Sequence, residues 1–213
     1  MAAPFRDRVH AGRELAKMLE EFRGTPALVL AIPAGGVPVA RAIATELGLP
    51  LDVAPVSKVL YPWTTESGYG AVAFDGSVWV DESRRAGHGL SPAQVERAVK
   101  DARAKVERRL ARLRAGRAPL AIEGRTVIVV DDGIAAGSTM RTAIAALRKA
   151  GAASVVVAVP TAHKSALDVI SKLADSVYCA NVRAGVSFAV ADAYAEWRDL
   201  GDDEIEALLQ NRA

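Results

Sequence analysis

With 213 residues, 51% of them hydrophobic and 24% charged, the chain suits a soluble globular domain that buries roughly 70% of its unfolded surface. A formal net charge of +2 excludes a polycation built as a whole for nucleic acid or membrane surfaces. The one cysteine, Cys179, excludes an internal disulfide and fits a reducing cytoplasm. No apolar run reaches the roughly 18 residues of a membrane span. Arg6, Asp7 and Arg8 fall where a signal peptide needs its apolar stretch. A single cytoplasmic domain over residues 1–213 is therefore expected.

In chain order, Val9, Leu15, Met18, Leu19 and Phe22 recur at helical spacing, and Gly24 and Pro26 close that helix. The apolar run 27–32 reads as a buried strand, followed by a tight loop, Pro33-Ala34-Gly35-Gly36, and a helix that stops at Gly48. A strand is expected over 51–59. Residues 70–80 read as a β-hairpin whose Asp75-Gly76 suits a type I′ turn. Ser91, Pro92 and Gln94 make a capping box with proline at the first helical position. The helix behind them runs to Arg114 on a stripe of Val95, Val99, Ala102, Val106, Leu110 and Leu113. A strand over 126–131, a helix from Ser138 to Ala150, a strand over 153–159, a helix over 164–174, a strand over 176–182 and a short helix over 202–210 complete the chain. Strands alternating with helices predict a parallel sheet covered on both faces.

The stretch "VIVVDDGIAAGST", residues 127–139, carries the most chemistry. In a parallel sheet, ligands bind beyond the carboxyl ends of the strands. Asp131 and Asp132 stand at that end of the most apolar strand. Such a pair accepts hydrogen bonds from neighbouring hydroxyls or helps hold a divalent cation. Gly133 and Gly137 allow positive φ, the alanines let backbone approach a ligand, and the helix start offers free N–H groups. Acids for a diol beside a cradle for phosphate suit a sugar 5-phosphate. A Walker loop needs lysine where Ser138 stands, so that reading fails. A response-regulator pocket needs a phosphoacceptor after a later strand, whereas Asp168 and Asp175 fall in or at the end of a helix.

This stretch resembles the thirteen-residue phosphoribosyl-pyrophosphate (PRPP) signature of the type I phosphoribosyltransferases. "LAIPAGGVPVA" resembles their pyrophosphate loop, "SKV" and "ESGYGAVAFDG" resemble the segment after it, and "AYAEWRDLGDDEIEALL" resembles the tail of a stand-alone bacterial and archaeal subgroup. The resemblance implies a Rossmann-like parallel sheet of about five strands with a β-hairpin arm and a small C-terminal hood. It implies Mg²⁺-dependent transfer of phosphoribose from PRPP to a nitrogenous base, with Asp131 and Asp132 on the ribose hydroxyls and, with PRPP, on the metal. Ala135, Ala136, Gly137, Ser138 and Thr139 would hold the 5-phosphate. Ala34, Gly35 and Gly36, commonly with a non-proline cis peptide, would meet pyrophosphate beside Lys58. Tyr194 and Trp197 would stack on the acceptor from the hood, although packing on the sheet edge is an equal reading of that pair.

Two positions depart from the pattern. Ala34 stands where arginine is usual, which removes a charge aimed at the leaving group and predicts slow turnover. Ala135 replaces the aspartate of the hypoxanthine-guanine branch, which argues against a 6-oxopurine acceptor of that design. A non-catalytic PRPP- or nucleotide-binding regulator is the competing reading. His10, His88 and His163 share no ligand spacing. Nine basic and two acidic residues between Arg97 and Arg117 read as a solvated helix face, with nucleic acid a lesser reading. Expected partners are PRPP, a small base or nucleotide and a second copy of the chain in a homodimer.

Overall fold

The computed structural model describes residues 3–65, 67–185 and 188–210; Glu66 of the quoted "ESGYG" lies outside them. The chain runs α1 (Arg8–Met18), β1 (Leu28–Ala31), α2 (Gly36–Leu47), β2 (Leu51–Val53), β3 (Val56–Leu60), β4 (Gly68–Ala73), β5 (Val78–Val80) and α3 (Glu82–Gly87). It continues through α4 (Pro92–Arg114), β6 (Thr126–Val130), α5 (Ser138–Lys149), β7 (Ser154–His163), α6 (Lys164–Ile170), β8 (Ser176–Arg183) and α7 (Asp202–Gln210). No helix among the described residues is long and apolar enough to cross a membrane.

Five strands form a parallel sheet in the order β2-β1-β6-β7-β8. Their unbroken apolar runs are explained by burial on both faces. Ile128 and Val130 belong to one core with Leu15 and Leu19 at α1 and Ile43 and Leu47 of α2. Val127 and Val129 belong to the other, with Met140, Ile144 and Leu147 of α5 and Ile170 of α6. From β1 the chain turns one way to β2 and later returns to the other side as β6. The β1/β6 boundary is thus the topological switch point, where open α/β sheets place their ligands.

A second, antiparallel sheet, β3-β4-β5, lies beside the first. Val59, Tyr69 and Val72 pack with Leu90 and Ala102, the latter on α4. Val56, Ala71 and Ala73 pack with α5.

The strand expected over 51–59 is two strands in two sheets. Ala54 N–H donates to Ala31 at 2.8 Å and ends the first ladder; Pro55, which has no N–H to continue it, turns the chain away. The hairpin turn is not type I′: only Gly76 (φ 82°) has positive φ. Gly76 N–H donates to Ala73 O and Ala73 N–H to Ser77 O, each at 2.9 Å, a turn closed by a single left-handed residue. β7 continues through Pro160 to His163, past the end of β6, paired with β8 on one side and bridged to Ile134 on the other. The helix expected over 164–174 ends at Ile170. The capping box of α4 is complete, with Gln94 N–H donating to Ser91 Oγ at 3.3 Å and Ser91 N–H to Gln94 Oε1 at 2.9 Å.

Ile128 sits fully buried at the centre of the sheet, so Ile128→Ala should cost about 2–5 kcal/mol, read as a lower urea midpoint with unchanged slope.

Candidate active site

Both strands of the switch point end in loops that meet. Ile32 N–H donates to Val130 O at 2.8 Å, extending the β1–β6 ladder by one rung before the chains part. The next residues are Pro33 to Gly36 on one side and Asp131 to Gly133 on the other. Glycine is required here for space. A Cβ on Gly35 would lie 1.7 Å from Asp132 Oδ2, and one on Gly36 would lie 2.7 Å from Val130 O. The Pro33–Ala34 peptide is cis, the form the resemblance implies. Gly36 N–H is already bonded to Ile32 O at 3.2 Å, so among the described residues the amides of Ala34 and Gly35 are those this loop retains for a ligand.

On the β6 side, Ile134 is strapped to the extension of β7. Its N–H donates to Thr161 O at 3.0 Å and its carbonyl accepts from His163 at 2.9 Å. That strap holds up the exposed Ala135 and Ala136. Gly137 adopts φ 80°, and no side chain caps the start of α5. The first amides of that twelve-residue helix therefore remain available to an anion. Gly133 does not have the positive φ expected of it. Its lack of a side chain makes room for Val190, whose Cγ1 would lie 2.5 Å from a Cβ.

These parts wall two adjoining cavities, of about 510 Å³ and 590 Å³. Ala34, Gly35, Lys58, Asp131, Asp132 and Thr139 border both. The phosphate-type loop 135–138 borders the first alone. Burial, then the adjacent Asp132, push the Asp131 carboxyl well above the usual carboxylate range, while Asp132 N–H bonded to it and the Lys58 charge pull the other way.

One residue that holds the acid pair carries no motif. Arg8, at the start of α1 and 8% exposed, donates from Nε to Asp132 Oδ2 at 2.9 Å and from Nη1 to Arg198 O at 2.9 Å. Its guanidinium lies 3.9 Å from the centre of the Trp197 ring, within the cation–π range. Sequence reading missed Arg8 because its partner lies 124 positions away and only the fold joins them.

Trp197 borders both cavities. Tyr194 borders neither. It is 5% exposed, packs on Phe5, and donates its hydroxyl to Asp132 O at 2.6 Å. Burial pushes its phenol far up; packed away from both cavities and bonded to the Asp132 backbone, the ring is a buried strut beside the site.

The basic helix is only partly solvated. Arg109 pairs with Asp202 at 3.1 Å, Arg112 with Asp202, Asp203 and Glu206, and Arg114 with Asp52 at 3.5 Å.

A doubly wound parallel sheet with glycine and acidic loops joined at its switch point, and a small antiparallel sheet beside it, defines the type I phosphoribosyltransferase fold. The chain belongs to the phosphoribosyl transferase domain family, whose match spans residues 7–193. It is 37% identical over 205 residues to the Mycobacterium tuberculosis (strain CDC 1551 / Oshkosh) protein "Putative phosphoribosyl transferase MT0597" and equally to "Putative phosphoribosyl transferase Rv0571c" of strain H37Rv. Each match covers 96% of this chain and 46% of the relative, so the chain spans about half the length of these curated relatives. The crystal structure of the protein TT1426 from Thermus thermophilus is similar at a TM-score of 0.78 and 35% identity, covering 98% of both chains.

Gly35→Ala should displace the Asp132 carboxylate and break its pairing with Arg8. A loss of about 1–3 kcal/mol in thermal denaturation is expected, with far-ultraviolet circular dichroism unchanged at low temperature.

Proposed function

We propose that this chain binds PRPP at the switch point and transfers its phosphoribosyl group to a purine- or pyrimidine-like base. The observation that carries the reading is the adjacency of the Asp131–Asp132 pair to an uncapped helix start at one strand end. The carboxylates would accept from the ribose hydroxyls, and the 135–139 loop would bind the 5-phosphate through amides and hydroxyls. In the transfer, a base nitrogen forms a bond to C1 while the C1–O bond breaks. The electron pair leaves with pyrophosphate, and the nitrogen's proton passes to solvent. Charge builds on the sugar ring and on the leaving oxygen, so the residues act by positioning and by electrostatics.

The donor set fits Mg²⁺ that arrives with the ligand. No cluster of three or more acidic, histidine or cysteine groups that could hold a metal occurs among the described residues. Mg²⁺ suits one or two carboxylates plus substrate phosphates, and Asp131 and Asp132 supply the former. When bound there, it would offset negative charge on the phosphates. Ala135 places no carboxylate beside an acceptor, which disfavours a 6-oxopurine. A regulator that binds PRPP without turnover is the second reading, favoured by the uncharged Ala34.

PRPP binding followed by calorimetry should weaken in both Asp132→Asn and Thr139→Ala, and unchanged affinity in both would remove the site assignment. With a panel of bases, PRPP and Mg²⁺, pyrophosphate release identifies the enzyme, whereas binding without release identifies the regulator. Because several α4 cations are already paired, gel shifts at physiological salt should show no tight DNA or RNA binding. A tight complex that weakens steeply with salt would overturn this expectation.

A further inference from the structure

Two α4 cations, Lys105 and Arg109, one helical turn apart, reach the mouth of the site. Both border the larger cavity together with Ala34, Gly35, Lys58 and Asp131. The rotation of the helix is fixed by burial of Ala102 and Val106, which leaves the 105 and 109 positions toward the loop. The Arg109 side chain is 23% exposed and is held from behind by Asp202 of α7. Its Nη1 makes a long contact of 3.5 Å to Pro33 O. That carbonyl belongs to the peptide leading into Ala34, so a guanidinium stands against a loop whose own residues carry no charge. Lys105 is exposed and makes no ion pair among the described residues.

We propose that Arg109, with Lys105 one turn before it, binds the pyrophosphate end of the phosphoribosyl donor and supplies the positive charge that residues 33–36 lack. This rests on the donor reading above. A planar guanidinium already anchored on one nitrogen by a carboxylate keeps further N–H donors for phosphate oxygens and gives up little freedom on binding. Lys105 contributes as a mobile point charge. The slow turnover expected from Ala34 is then offset by charge delivered from another element.

The test compares Mg²⁺-supplemented calorimetry of PRPP, inorganic pyrophosphate and ribose 5-phosphate on the full chain. Arg109→Gln should weaken PRPP and pyrophosphate by about tenfold or more, since a charge-assisted contact is removed, and leave ribose 5-phosphate unchanged. Lys105→Gln, which disturbs no ion pair, should show the same pattern at smaller amplitude. Ala34→Arg in the Arg109→Gln background should recover part of the lost affinity, which a merely structural arginine would not predict. Equal PRPP and pyrophosphate affinity in wild type and both single variants would overturn the assignment and leave the donor reading standing. An equal loss for all three ligands in Arg109→Gln, with none in Lys105→Gln, would overturn it in favour of a structural pin. A wild type that binds none of the three would overturn both readings.

Discussion

The closeness of two backbones at the end of the sheet governs the rest of the site. β1 and β6 are hydrogen-bonded neighbours, so the loops leaving them start one strand spacing apart, about 4.8 Å. Gly35 and Gly36 let those loops stay that close after the ladder ends, where any side chain would strike the Asp132 carboxylate or the Val130 carbonyl. α2 and α5 then begin at the same mouth; the first α2 amides are bonded to Ile32 O and Ala34 O, so it is the uncapped start of α5 that opens toward the volume. A parallel sheet makes this arrangement available because each strand must be followed by a crossover that starts at its carboxyl end.

Bringing two carboxylates to a half-buried strand end is unfavourable without compensation. Arg8 at Asp132 and the Lys58 charge at Asp131 contribute it, and the way Arg8 is held links distant parts of the chain. The bridge between Phe5 and Tyr194 joins the first described residues to the segment before α7. Trp197 covers the guanidinium, and the Tyr194 hydroxyl supports the backbone of Asp132 itself. The hood is therefore part of the electrostatic environment of the acid pair as well as a wall above it. A pair desolvated to this degree contributes definition of geometry more surely than net stability.

What was legible in the sequence was what local chemistry dictates. The capping box of α4, the apolar runs of β1 and β6, the stop at Gly48 and the order acid pair, small-residue loop, helix each depend on neighbours a few positions apart. What was not legible depends on partners far along the chain. The strand expected over 51–59 runs through Pro55, and only the fold shows that the residues on either side of it belong to different sheets. Gly133 and Gly137 look alike in sequence, yet one is required for space and the other for positive φ. Tyr194 and Trp197 are three residues apart and face different surroundings. A charge count over α4 cannot say which cations face α7, which face water and which face the mouth.

The distribution of charge along that mouth has its own logic. The acid pair and Lys58 border both cavities, at their common boundary. Beyond them on one side lie the uncapped amides of α5, and on the other the cations of α4. Hydroxyl acceptors thus stand between two regions that attract anions, one built from backbone dipoles and one from side chains. A ligand with hydroxyls at its centre and phosphate at one end alone would use one region and leave the other hydrated. A ligand phosphorylated at both ends would satisfy all three regions at once, and the asymmetry between fixed amides and movable side chains would select its orientation. The preformed amide end suits a single phosphate. On the donor reading, the end lined by longer side chains would take the bulkier polyanion that departs, with Lys105 following it outward while the α5 amides keep hold of the 5-phosphate.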